Sequence, residues 1–134
     1  MKEEKKFNLE LFFAALADRT RLRLLNLMRN GEVCVCFFAE TLDTNNPKIS
    51  RHLAYLKRAK LVSGRRDGKW MHYRISEPDN EKAKEVFRGI MEMLKEDKEM
   101  QIDREKLANV CCAPSMVNSR GISRSGKALI SVGK

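Results

Sequence analysis

Apolar residues recur at helical spacing from early in the chain. Over Asn8 to Leu16 the residues Leu9, Phe12, Phe13 and Leu16 share one face, the repeat expected of an amphipathic helix. Asp18 is a candidate N-cap for a second helix, in which Leu22, Leu24, Leu25 and Met28 are the buried positions and Asn30-Gly31 is the stop signal. A short third helix is predicted over Val35 to Leu42, with Val35, Phe38, Ala39 and Leu42 inward. The polar stretch Asp43 to Asn46 then turns into a fourth helix, which Asn45 or Asn46 caps and Pro47 starts. Ile49, Leu53 and Leu56 form its buried stripe.

At Leu61 the period changes from helical to alternating. Val62 to Arg66, the turn signal Asp67-Gly68, and Trp70 to Ile75 predict a compact hairpin. Pro78 and Asp79 open a long helix in which Ala83, Phe87, Ile90 and Leu94 are spaced like coiled-coil positions, a stripe suited either to a core or to a dimer interface. Gln101 to Val110 reads as one more short helix, and Ala113 to Lys134 as an unstructured basic tail. The fold class is therefore mainly α with a small β-hairpin. Residues 1–100 form the folded domain and residues 101–134 a C-terminal extension that carries a cysteine pair.

Charge sharpens this picture. The 134-residue chain carries a formal net charge of +9. From Asn45 to Ile75 nine Lys/Arg face a single acid, Asp67, whereas Glu81 to Glu99 holds six acids and five bases. Positive charge gathered on one substructure is the footprint of a nucleic-acid binder. Two helices joined by a tight turn and followed by a basic hairpin form a winged helix-turn-helix pattern. With Ile49, Leu53 and Leu56 inward at about 100° per residue, Arg51 and Arg58 point outward and Lys48, Ser50 and Tyr55 flank them. These groups suit guanine edges and phosphate oxygens. His52 borders the buried stripe, where packing and DNA contact are both open to it. Arg65, Arg66 and Lys69 form the tip of the wing, and Trp70 and Tyr73 are expected to pack it onto the helices.

The four cysteines fall in two close pairs, Cys34/Cys36 and Cys111/Cys112. No apolar run approaches the length of a membrane span, and no signal-peptide pattern follows Met1 to Lys6. A cytoplasmic protein is expected, and there such pairs favour metal ligation or reactive thiols over structural disulfides. The chain has no Cys-x-x-Cys, no paired carboxylates in a catalytic pattern and no Gly-rich phosphate loop. We expect no enzymatic activity.

Glu32-Val33-Cys34-Val35-Cys36, then Pro47-Lys48-Ile49-Ser50-Arg51-His52-Leu53, then Gly68-Lys69-Trp70-Met71-His72-Tyr73-Arg74 together resemble the ArsR/SmtB family of metal-sensing repressors, its arsenical-resistance branch in particular. The resemblance spans about residues 8 to 99. It implies a homodimer held through its N- and C-terminal helices. It also implies a metal-free form that binds double-stranded operator DNA, and release when As(III) or Sb(III) binds the thiolates. In two places the chain departs from the family. The third cysteine often found in that branch is Ala39 here, and Glu81 to Glu99 contains no histidine for the family's other sensor site.

Trivalent arsenic prefers three thiolates in a pyramid. Cys34, Cys36, Cys111 and Cys112 are the candidate ligands. The second pair is open to three roles: completing the first site, forming a separate two-thiol site for an organoarsenical, or staying inert. Four thiolates would suit cadmium, lead or zinc, and a thiol-redox repressor is a further alternative. Two positions apart on a regular helix, Cys34 and Cys36 would point roughly 200° apart. Joint capture of an ion is therefore expected to distort the first turn of the third helix.

Overall fold

The computed structural model describes residues 7–111, and of Cys111 the backbone alone. The predicted tail and Cys112 lie outside the described residues.

Short polar side chains start the helices where the sequence places them. Asn8 Oδ1 accepts from the Leu11 amide at 2.9 Å and opens α1 (Leu9–Leu16). Asp18 caps α2 (Arg19–Leu27) by accepting from the Arg21 amide at 3.0 Å. Strand β1 (Val33–Cys34) runs directly into α3 (Val35–Leu42), and Asp43 ends that helix in the left-handed region at φ 57°. Asn45 caps α4 (Asn46–Arg58) with Pro47 in its first turn. The wing is β2 (Val62–Asp67) and β3 (Trp70–Ile75), turned at Gly68, whose φ of 64° favours glycine. Asn80 caps α5 (Glu81–Glu96), two residues later than the Pro78-Asp79 start read from the sequence. Finally, Asp97 accepts from the Met100 amide and opens α6 (Lys98–Cys111).

The sheet has three strands in the order β1-β3-β2, not two. Val33 pairs with Tyr73 and Cys34 with His72, both antiparallel. Two residues form no alternating run of their own, so the pairing is a tertiary event.

Phe12, Leu24, Leu25, Phe38, Ile49, Leu53, Leu56, Leu61 and Phe87 make the centre of the core. The predicted stripe of α4 is fully buried. On α5, Ala83, Phe87, Met91 and Leu94 face inward, while Ile90 is half-buried. Val86 and Met93 stay exposed on that helix, as do Leu9 and Phe13 on α1.

Helix α6 packs on α2, α3 and α5. The boundary expected after residue 100 thus falls inside an element whose Met100 is fully buried. Polar contacts fix it as well. Asn26 Nδ2 donates to the Met100 carbonyl at 2.9 Å. Arg23 grips the buried Asp103 through two bonds of 2.7 and 3.0 Å. Arg19 reaches Asp97 at 2.9 Å and Glu99 at 2.8 Å.

Candidate thiol site and nucleic-acid interface

Cys34 is not helical. It is the last residue of β1 and the cap position of α3, extended at φ −73°, ψ 143°. Cys36 stands in the first helical turn. The change of backbone conformation between them swings the two side chains together, and Cys36 Sγ lies 3.4 Å from Cys34 Sγ. The 200° divergence expected for a regular helix does not occur, because one of the two residues belongs to a strand. No unwinding of α3 is needed to bring both sulfurs to one ion. Cys34 is buried and Cys36 half-buried. The N-terminal end of the α3 dipole favours negative charge beside them.

Among the described residues no group of three or more His, Cys, Asp or Glu gathers as a metal cluster. Any third sulfur must come from elsewhere. Leu107 and Val110 of α6 pack against the core, so the helix that ends at Cys111 lies along the helix that the thiol pair opens.

On α4, Lys48, Ser50 and Arg51 are exposed on the outward face, together with Arg58. His52 and Tyr55 are half-buried and turn toward α2. His52 Nδ1 sits 3.3 Å from an Arg21 guanidinium nitrogen and 4.0 Å from Asp18 Oδ1. Burial pushes the His52 imidazole below the usual histidine value, with Arg21, Arg51 and Lys48 acting the same way and Asp18 opposing them. Tyr55 has the Arg21 guanidinium 4.1 Å from its ring centroid and that of Arg58 at 4.7 Å.

Arg21 is the residue that sequence reasoning missed. Its guanidinium also donates to the carbonyls of Ala15 at 2.9 Å and Ala14 at 3.0 Å. One side chain thereby ties the end of α1 to the outward helix α4. Its partners come from two other helices, α1 and α4, and no local spacing rule signals that.

In the wing, Arg66 and Lys69 are exposed. Lys69 Nζ lies 5.6 Å from the Trp70 ring centroid. Arg65 is engaged within the protein, forming two bonds to the Glu32 carboxylate at 2.9 and 2.7 Å. Trp70 and Tyr73 are partly buried against the core, as expected of residues that anchor the wing.

A helix-turn-helix formed by α3 and α4, a β-hairpin wing and a basic outward face define a DNA-binding transcriptional regulator. The comparisons with known proteins agree. The pattern described as bacterial regulatory protein, arsR family, matches residues 18–63. The chain is 38% identical over 82 residues to an uncharacterised HTH-type transcriptional regulator of Methanocaldococcus jannaschii, covering 60% of this chain and 89% of that protein. It matches the homodimeric winged helix-turn-helix domain of Mb0332 from Mycobacterium bovis, a possible ArsR-family regulator, with a TM-score of 0.54 and 31% identity, over 66% of this chain and 79% of that one. The chain belongs to the ArsR family. It is also 51% identical over 65 residues to the arsenical resistance operon repressor of Escherichia coli K12, covering 48% of this chain. It spans only 56% of that relative's length. No helix among the described residues is long and apolar enough to cross a membrane.

Proposed function

We propose that this protein is an arsenite- or antimonite-responsive repressor whose ion-free dimer holds operator DNA and lets go when the thiolates take an ion. The observation that carries the reading is the Cys34–Cys36 sulfur separation of 3.4 Å at the foot of the helix-turn-helix. Two soft donors already side by side capture a thiophilic ion without refolding the helix. The name of the Escherichia coli relative supports arsenic as the element sensed. Cys111 and Cys112 are the proposed source of a third sulfur. Lys48, Ser50, Arg51, Arg66 and Lys69 are the proposed direct DNA contacts, with Arg65 dependent on its carboxylate partner. His52 and Tyr55 orient α4 through Arg21.

A release titration tests the reading. Labelled operator DNA bound to the protein should dissociate with arsenite or antimonite at concentrations where zinc leaves it bound. Release by zinc or cadmium alone would transfer the role to a tetrahedral four-thiolate site. Release by phenylarsenite alone would indicate a two-thiol organoarsenical site.

Arg51 is exposed on the outward face of α4. Arg51→Ala should lower operator affinity by about 5- to 100-fold, the value of one good base or phosphate contact, with an unchanged melting temperature. Fluorescence anisotropy and thermal melting measure the two effects.

The proposed dimer surface is the exposed Val86 and Met93 of α5, the half-buried Ile90 between them, and Leu9 and Phe13 of α1. The homodimeric state of the Mycobacterium bovis domain supports it. Sedimentation equilibrium should show a dimeric mass for the wild type and a monomeric mass for Met93→Glu/Val86→Glu, since two buried carboxylates per chain oppose association.

A further inference from the structure

The sheet places three chemically distinct groups in one transverse row. Cys34 of β1 pairs with His72 of β3, and His72 pairs with Arg65 of β2. Directly opposed residues of an antiparallel sheet project from the same face. Cys34 and His72 are buried, while Arg65 reaches the surface of the wing. The row is closed at its outer end, because Arg65 turns back to Glu32, two residues ahead of Cys34 on the same strand entry. The thiol site and the wing's first arginine thus lie in one row of the sheet, and an ion pair joins that arginine to the residue just ahead of β1.

The bonding of that arginine matters for DNA. A guanidinium fork fits a carboxylate and a phosphate equally well, two parallel bonds to either. Arg65 stands on a wing whose other cations, Arg66 and Lys69, are exposed. Glu32 holds the same fork that a DNA phosphate would hold, and the two anions exclude each other.

We propose that Glu32 is an internal competitor for the wing arginine Arg65, and that the strand bearing the thiol pair sets how strongly it competes. This regulation rests on the arsenite-responsive reading above. With β1 unconstrained, Arg65 exchanges from Glu32 to phosphate when operator DNA arrives. An ion fixed by Cys34 and Cys36 pins the end of β1, holds Glu32 against Arg65 and withdraws that cation from the DNA. The route to the DNA surface runs through the sheet to the wing, in addition to any movement of α3.

Removing Glu32's charge also changes the general field, so the test is a double-mutant cycle on DNA affinity. Glu32→Gln should tighten operator binding about two- to five-fold, the scale of an exposed ion pair. In an Arg65→Ala background the same Glu32→Gln change should do nothing. Glu32→Gln should also shrink the fold-change in affinity that saturating arsenite produces. Both positions are on the surface, and thermal melting of each variant confirms folding. Equal tightening in both backgrounds would mean a field effect and overturn the proposal. So would a Glu32→Gln affinity equal to the wild type's, or an undiminished arsenite response. If wild-type protein ignores arsenite while the cycle on ion-free DNA binding behaves as stated, the competitor stands and the arsenite reading fails. The reverse pattern fails the competitor alone.

Discussion

Replacing Cys34 and Cys36 together by serine should abolish arsenite-induced release of operator DNA and leave ion-free DNA binding close to wild type. Hydroxyls do not substitute for thiolates toward a soft trivalent ion. The full coupling between ion and DNA, typically about 5- to 150-fold in affinity, should therefore vanish and not merely weaken. Neither cysteine lies on the outward face of α4, which is why DNA binding survives. Cys34 is 2% exposed, so a hydroxyl placed there costs roughly 1–3 kcal/mol of stability. A melting curve taken alongside the anisotropy titration separates that loss from the loss of response. Release that persists in the double variant would remove this pair from the mechanism.

Asp103→Ala should destabilise the protein by about 3 kcal/mol, near the low end for breaking a buried ion pair. Asp103 is 1% exposed and takes both arms of Arg23. Arg23 retains Glu99 at 3.5 Å and keeps some access to solvent, which limits the loss. Urea denaturation followed by circular dichroism measures it. Replacing the pair together, Arg23→Met/Asp103→Leu, should recover most of the stability, since apolar side chains need no compensation for desolvation. If α6 delivers a third sulfur to the thiol pair, Asp103→Ala should also weaken arsenite capture. A variant as stable as wild type would show that the Arg23–Asp103 pair contributes nothing to the fold.

Most of the architecture is legible from spacing and end signals. The stripe Ile49, Leu53 and Leu56, the caps Asp18 and Asn45, and the Asp67-Gly68 turn each carry their own local reason, and each is found in place. What escaped depends on partners distant in sequence. Val33 and Cys34 become a strand only because β3, some forty positions on, offers a free edge. That missed strand led directly to the wrong cysteine geometry, since a helical reading of Cys34 separates sulfurs that the strand–helix junction brings together. Arg21 reads as one more surface base, yet it bonds to α1 carbonyls, His52 and Tyr55. Arg65 reads as a DNA contact, but nothing in the spacing places Glu32 beneath it. The start of α6 was set too late because its first turn is polar apart from Met100.

The account turns on whether filling the thiol pair and losing the DNA are one event. Ultraviolet thiolate-to-arsenic absorption and the anisotropy of labelled operator DNA, followed in a single arsenite titration, measure both at once. The account predicts that the absorption saturates over the same concentration range in which anisotropy falls to that of unbound DNA. Saturated absorption with the anisotropy unmoved would contradict it.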